Sequence, residues 1–402
     1  MEHGTGDVGI ERYPGHVQEI VELASSRPRV LEFFAGIGLA RLGLESSGFR
    51  VAWANDYERD KMSMYRSQFG ETSGDADFFF GDIASVSADQ LPQGASLAWG
   101  SSPCTDLSLA GSRGGLRAGE SSAFWHYIRL LRDLGESRPE VAVLENVVGL
   151  ATSHGGDDLA AAVRAFNDLG YSVDVLTLDA RRFVPQSRPR LFLVAAKNPP
   201  KSENAAPSEL RPAWLQGVYS DPTLRTHRAP LPKPPELLLE GFGAIVEAMP
   251  DSDERWWDRS RADLFEASLS PVQAARVAEM KRSEQVVYRT AYRRTRKGIP
   301  VWEVRPDDIS GCLRTARGGS SKQAVVKMGG DEILVRWMTP LEYARLMGAG
   351  DFNLQETRTN QALYAFGDAV AVPAVDWLGR NYLMPLIRRK VEHLNEEERA
   401  VG

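Results

Sequence analysis

Val30-Leu-Glu-Phe-Phe-Ala-Gly-Ile-Gly38 decides the fold: an apolar run feeds directly into Gly36 and Gly38. A buried strand that ends in such a turn lets backbone amides approach a nucleotide-like ligand at its carboxyl end. Outward from this stretch, short apolar runs recur, each followed by a polar or Gly-rich turn and a helical stretch. They are Val51–Ala54, Leu97–Trp99, Val141–Leu144, Val173–Leu178 and Leu191–Ala195. Apolar residues at helical spacing predict crossover helices over Phe124–Leu134 and Asp157–Leu169, the second opened by a capping acid and stopped at Gly170. The alternation predicts an α/β fold with a largely parallel sheet.

Nine prolines within residues 199–235 exclude regular sheet or helix there, so the sheet domain is expected to end near Lys197 and a loop-rich second lobe to begin. Helical stretches are expected over Leu237–Met249 and Pro271–Lys281, and Val370–Leu378 reads as core again. Composition sets the outer bounds. With 402 residues, 43% hydrophobic and 25% charged, the chain can bury a core and falls outside the disordered and collagen-like classes. No apolar run approaches the ~20 residues of a membrane span, and Met1–Arg12 lacks the order of a signal peptide, so a cytoplasmic protein is expected. Two cysteines, Cys104 and Cys312, exclude a disulfide framework, and the six histidines show no ligand spacing, so no metal is expected.

The net charge of −6 hides a basic segment: Lys281–Lys327 carries twelve basic residues against four acidic ones. A polyanion partner is the expectation. Arg293, Arg294, Arg296 and Lys297 suit phosphate contacts, and Arg314, Arg317 and Lys322 lie in a polar loop able to approach base edges. Trp256-Trp257 reads as lobe core rather than a stacking platform. Cys312 is expected to be structural and remote from the site.

Chemistry concentrates at the predicted strand ends. Asn55-Asp56 stands twenty residues beyond Gly36, where an acid can take both hydroxyls of a ribose, and Gly81-Asp82-Ile83 adds a second acid. The dinucleotide fingerprint is incomplete, because Arg41 stands where its third glycine belongs, so an adenosine without phosphates fits better than a pyrophosphate. S-adenosylmethionine matches that description. Pro103-Cys104 follows the Leu97–Trp99 run in a stiff polar loop, which favours an accessible, nucleophilic thiol. Glu145, at the end of the next run, is placed to be desolvated and to protonate a ring nitrogen. In Gln186-Ser-Arg-Pro-Arg190 the two arginines alternate, so in extended backbone they share a face.

Taken in order, Phe34–Gly38, Asn55-Asp56, Gly81-Asp82, Pro103-Cys104, Glu145–Val147, Gln186–Arg190, Arg336–Gly348 and Phe366–Val370 resemble the DNA (cytosine-5) methyltransferases of the bacterial modification type. The resemblance covers about residues 29–196 and 336–380. It implies a Rossmann-like S-adenosylmethionine-dependent methyltransferase sheet domain with a second, smaller target-recognition domain. The corresponding division is an N-terminal extension (1–28), a catalytic domain (29–196), a target-recognition domain (197–335), a return segment completing the catalytic domain (336–390) and a tail (391–402).

By the same resemblance, Cys104 looks like the nucleophile for carbon 6 of a flipped cytosine, and Glu145 like the group engaging ring nitrogen 3. Arg190 looks like the contact to the base carbonyl, with Arg188 supporting it. Phe34, Ala35, Gly36, Ile37, Gly38, Asn55, Asp56, Asp82, Ile83, Pro103, Asp368 and Ala369 match cofactor-contacting positions. The implied partners are double-stranded DNA and a cognate restriction or defence nuclease, with the enzyme acting as a monomer on DNA. A tRNA cytosine-5 methyltransferase and a catalytically silent DNA-binding homologue are the alternatives. The first of these usually carries a shorter recognition region, and retention of Cys104, Glu145 and Arg190 argues against the second. Two departures from the family pattern stand out: Thr105 after the cysteine, and Asp368 where the family usually has asparagine, which puts a carboxylate near the cofactor's sulfonium.

Overall fold

The computed structural model describes residues 27–70, 77–103, 123–203, 206–296, 298–315 and 322–389. Seven strands form the main sheet: β1 (Arg29–Phe33), β2 (Arg50–Asp56), β3 (Asp77–Phe80), β4 (Leu97–Gly100), β5 (Val141–Val147), β6 (Ser172–Asp179) and β7 (Pro189–Ala196), in the order β3-β2-β1-β4-β5-β7-β6. Pairing is parallel except at β7, which runs antiparallel to β5 and β6. Strand order reverses between β1 and β4, so the crevice where ligands bind in such sheets opens at their carboxyl ends.

Helices α1 (Leu39–Ser46), α2 (Arg59–Phe69), α3 (Ala123–Asp133) and α4 (Asp157–Asp168) connect these strands. Each turns an apolar stripe to one of two cores, one on either side of the sheet. The capping position of α4 is taken by Gly156, not by the expected acid. Asp157 and Asp158 instead occupy its first turn, where they complement the helix dipole.

The second lobe is a four-stranded antiparallel sheet, β11-β10-β8-β9, from β8 (Val287–Arg296), β9 (Ile299–Val304), β10 (Gln323–Gly329) and β11 (Glu332–Trp337). Helices α5 (Arg259–Ala267) and α6 (Pro271–Lys281) cover it, around Trp257, Phe265 and Trp302. Trp256 is buried as well, its indole donating to Pro250 O at 3.0 Å. The chain then returns through α7 (Pro340–Leu346), α8 (Thr359–Asp368) and α9 (Val372–Leu378), and α9 packs on α1. At the junction Arg336 and Glu342, both fully buried, form a two-pronged ion pair that ties β11 to α7.

Two expectations are corrected. Leu237–Met249 contains only one helical turn, Phe242–Ile245: Asp308 accepts from Gly241 N and Gly243 N at its start, and beyond it the backbone is held by other elements, Ile245 O accepting from Arg345 and Glu247 N donating to Glu342. The stretch after β7 does not join the second lobe at once: Leu215, Val218 and Leu224 enter a core of the main sheet. Its anchor is Asp174, fully buried on β6, which accepts from Arg211 Nε (2.9 Å) and Nη2 (2.6 Å), Ala229 N (3.0 Å) and the hydroxyls of Tyr219 (2.7 Å) and Tyr382 (2.8 Å). Proline density marked a largely irregular stretch but missed its short helix, Gln216–Ser220, which falls between Pro212 and Pro222, and where the stretch packs.

His227 completes this network, with Nδ1 3.0 Å from Ser172 Oγ and Nε2 3.0 Å from Tyr382 Oη. Since the Tyr382 proton goes to Asp174, the imidazole carries its own proton on Nε2. Burial pushes its pKa from 6.5 to about 4, outweighing the attraction of Asp174. Between those values the unfolded chain binds a proton that the native chain refuses, so stability falls as pH drops through that window, by roughly 3 kcal/mol at most. Urea midpoints of wild type and His227→Gln between pH 7.5 and 4.5 check this: the variant should lack that component of the acid slope.

Candidate functional site

At the end of β1, Phe34, Gly36 and Gly38 adopt left-handed backbone (φ 58°, 58° and 82°), and the turn closes with Gly38 N donating to Ala35 O at 2.8 Å. The two glycines serve different ends. A Cβ on Gly38 would lie 2.3 Å from the Phe69 ring, whereas one on Gly36 would meet nothing within 4 Å. Gly36 therefore borders open space beside the strand ends, and Gly38 is demanded by packing. Ile37 is buried in the core behind the turn.

Asp56 lies against this turn. Its Oδ2 accepts from Gly36 N and its Oδ1 from Glu58 N, each at 2.9 Å. A carboxylate offers about four acceptor sites, so each oxygen keeps a lone pair for a hydroxyl. Tyr57 and Phe80, 48% and 41% exposed at the ends of β2 and β3, offer aromatic surface nearby, and neither is marked by the sequence patterns above. Asp82 caps the turn that starts at Ile83, accepting from Ala84 N at 2.8 Å. The open cradle at Gly36 and the oriented carboxylate fit an adenosine-type cofactor. Asn55 does not face this space as expected: its amide donates to Phe79 O (3.1 Å) and Gly81 O (2.8 Å), holding β2 to β3. Beneath the turn the sequence gives no warning of Glu32, wholly buried and accepting from Arg41 N at 3.1 Å, whose pKa burial raises to about 8.

A second group gathers at the ends of β4, β5 and β7. Glu145 is buried on β5, with Oε1 3.1 Å from Arg190 Nε. Burial raises its pKa, and the opposing pulls of Arg190, Arg188 and the Ser101 hydroxyl do not cancel that rise. Asn146 donates to Ser102 O (3.3 Å) and Oγ (3.2 Å), while Trp99 Nε1 holds Ser101 Oγ at 2.9 Å. These bonds aim the chain that runs through Pro103 into Cys104. Cys104 itself lies outside the described residues, as does Arg317.

Arg188 is corrected. It is 1% exposed, and its guanidinium donates to Leu313 O (2.8 Å), Gly367 O (3.0 Å), Ala369 O (2.6 Å) and Cys312 Sγ (3.2 Å). It positions backbone rather than presenting itself to a base. Cys312 is corrected with it. The segment leaving the second lobe threads back beside Gln186, whose side chain accepts from Leu313 N (3.0 Å) and donates to Leu346 O (2.8 Å). Cys312 thus lies against the arginine pair instead of far from it, and although burial raises its thiol pKa, Arg188, Arg190 and Arg314 bring the net value down. Asp368, expected to bring a charge near the cofactor, is ion-paired to Lys61 at 3.0 Å.

In the basic lobe, the strand pleat puts Arg294 and Arg296 on one face of β8 and Arg293 on the other, opposite Trp302. The expected phosphate-binding set is therefore split. Arg294 and Arg296 pair with Glu303 (3.2 and 2.6 Å) yet remain 48% and 61% exposed, and such surface pairs are weak enough to exchange for a phosphate. Arg314 is exposed, and Lys322 Nζ donates to Asn360 Oδ1 at 2.7 Å. Lys297 lies outside the described residues. No described helix is long and apolar enough to cross a membrane.

The family model "C-5 cytosine-specific DNA methylase" matches residues 28–383. The type II methyltransferase M.HhaI of Haemophilus parahaemolyticus is 25% identical over 88% of this chain and 93% of its own length. M.Bsp6I of a Bacillus strain is 25% identical over 88% of this chain and 98% of its own. Among solved structures, the S. pombe Dnmt2 methyltransferase superposes with a TM-score of 0.59 at 18% identity, covering 90% of this chain and 99% of that one, a likeness of fold.

Proposed function

From its membership of the C-5 cytosine-specific DNA methylase family, we propose how this chain, a DNA cytosine-5 methyltransferase, divides the work among its residues. The family uses S-adenosylmethionine as methyl donor. Phe34–Gly38, Asp56, Asp82 and Ile83 would hold it, with Asp56 on the ribose and Tyr57 and Phe80 beside the base. When bound, it supplies an electrophilic methyl group on a sulfonium. The substrate is a cytosine in double-stranded DNA, rotated out of the helix so that its ring reaches the crevice.

Carbon 5 of cytosine is a poor nucleophile. Addition of the Cys104 thiolate to carbon 6, with a proton from Glu145 engaging ring nitrogen 3, makes carbon 5 enamine-like and able to take the methyl group. Loss of the carbon 5 proton to water, with the ring nitrogen 3 proton returning to the Glu145 carboxylate, then expels Cys104 as thiolate and restores aromaticity. Arg190 holds Glu145 and contacts the base carbonyl. Arg188 acts one step removed, fixing the Gly367–Ala369 and Cys312–Leu313 segments around the pocket. Arg294, Arg296, Arg314, Arg317 and Lys322 serve DNA, chiefly its phosphates, and Arg293, on the other face of β8, stands apart from them. The chain acts as a monomer within a restriction-modification or phage-defence setting.

The observation that carries this reading is the buried Glu145–Arg190 pair one strand away from Ser101–Pro103, the residues that precede Cys104 in sequence, with the Gly36–Asp56 cradle at the same sheet edge. Methylation mapping of plasmid DNA from cells expressing the protein tests it: 5-methylcytosine confined to one short motif is expected, and unmethylated DNA with methylated tRNA would move the substrate to RNA. Asp56→Ala is expected to weaken S-adenosylmethionine binding by about ten- to a hundred-fold, through loss of charged hydrogen bonds, as read by calorimetry. Unchanged affinity would remove Asp56 from the ribose.

A further inference from the structure

Asp368 ends α8, where the helix dipole disfavours a carboxylate. The structure compensates it closely. Lys61, on α2, stands with Nζ 3.0 Å from Asp368 Oδ2, 3.1 Å from Glu58 Oε1 and 5.4 Å from the centre of the Tyr364 ring. The other carboxylate oxygen of Asp368 accepts from the Thr315 hydroxyl. Burial alone would lower the Lys61 pKa, but Asp368, Asp56 and Glu58 together hold it above its ordinary value, so the ammonium stays charged.

The place of the pair gives it meaning. On one side Lys61 follows Asp56, whose carboxylate holds the Gly36 turn; on the other, the carbonyls flanking Asp368 accept from Arg188, two residues before the arginine that holds Glu145. Asp368 is thus linked through Lys61 to the side of the proposed cofactor cradle and through the backbone on either side of it to the arginine pair of the proposed base pocket.

We propose that Lys61 is a positioning residue of the cofactor site, holding Asp368 in an internal ion pair so that this carboxylate does not act as an unpaired anion toward the cofactor's sulfonium. The proposal rests on the S-adenosylmethionine reading above. It explains how the chain carries aspartate at a position beside a cationic ligand without that charge setting the ligand's affinity. An asparagine there would satisfy the same two neighbours, with its oxygen toward Lys61 and its amide toward Thr315, but would leave Lys61 with Glu58 as its ion-pair partner and one negative charge fewer beside the ligand.

Calorimetric titration of the full chain with S-adenosylmethionine, a cation at sulfur, and with S-adenosylhomocysteine, neutral there, tests it. Lys61→Met should shift the affinity ratio toward S-adenosylmethionine by roughly three- to ten-fold, and Asp368→Asn should shift it the other way by a similar factor. The double variant Lys61→Met/Asp368→Asn should return to the wild-type ratio, as should Lys61→Arg. A merely structural role would change both affinities together and leave the ratio alone. An unchanged ratio in Lys61→Met, or a double variant that stays with Asp368→Asn, overturns the proposal while leaving the cofactor reading intact. Binding of neither ligand by the wild type overturns the cofactor reading, and the proposal with it. Thermal unfolding identifies a variant that fails to fold; if that is Lys61→Met, the double variant and Asp368→Asn still decide, because only compensation lets the second substitution reverse the first.

Discussion

Cys104→Ala is expected to lower methyl transfer by more than about a thousand-fold while DNA affinity changes little, because the substitution removes the atom to which the proposal assigns the activation of carbon 5. The second cysteine, Cys312, lies near the arginine pair but is held there, accepting from Arg188 and donating to Leu313 O at 3.3 Å. Ahead of Cys104 in sequence, Asn146 and Trp99 pin the two serines that follow β4 and precede Pro103. Transfer of labelled methyl groups to DNA, alongside a gel-shift titration, reads both quantities. A DNA target bearing 5-fluorocytosine, which has no carbon 5 proton to lose, should trap the wild type covalently and leave the variant untrapped. Persistent turnover in Cys104→Ala would refute covalent catalysis.

Glu145→Gln is the second large effect, an expected loss of about a hundred- to ten-thousand-fold in turnover. The amide keeps the shape and can still meet Arg190 through its oxygen, but it cannot deliver a proton to ring nitrogen 3. The pH profile separates this role from packing. Burial holds the Glu145 pKa above the ordinary carboxylate range, so the proton persists to higher pH, and wild-type activity that depends on it must fall as pH rises through that raised value. Glu145→Gln should lack this descending limb, and a limb that survives in the variant would assign it to another group.

Most of the sheet domain was legible because its signals are local. Val30–Gly38, Val141–Leu144 and Leu191–Ala195 are apolar runs whose ends carry turn residues, and periodicity of this kind survives folding unchanged. The meeting of Gly36 and Asp56, which the proposal reads as a cofactor cradle, was legible for the same reason, since both stand at strand ends that a parallel sheet must bring to one edge. Asn55 misled because an amide at a strand end can serve a neighbouring strand as readily as a ligand, and only register decides which. The helix over Arg259–Ala267 went unmarked because its apolar residues are few: Ala262 and Phe265 are its buried members.

The α/β class and the strand ends where Asp56 and Glu145 stand were readable from sequence alone, as was the set Cys104, Glu145 and Arg190 to which the proposal assigns reactive roles. Only the tertiary structure decided which charges are spent internally. Arg188 on backbone carbonyls, Lys61 on Asp368 and Arg211 on Asp174 all meet partners brought together by the fold. Sequence spacing reports which groups share a strand or helix face, but an ion pair depends on distance in space. Arg188 and Ala369, Lys61 and Asp368 are far apart along the chain, and they meet only because the return segment, α8 above all, closes over the carboxyl edge of the sheet.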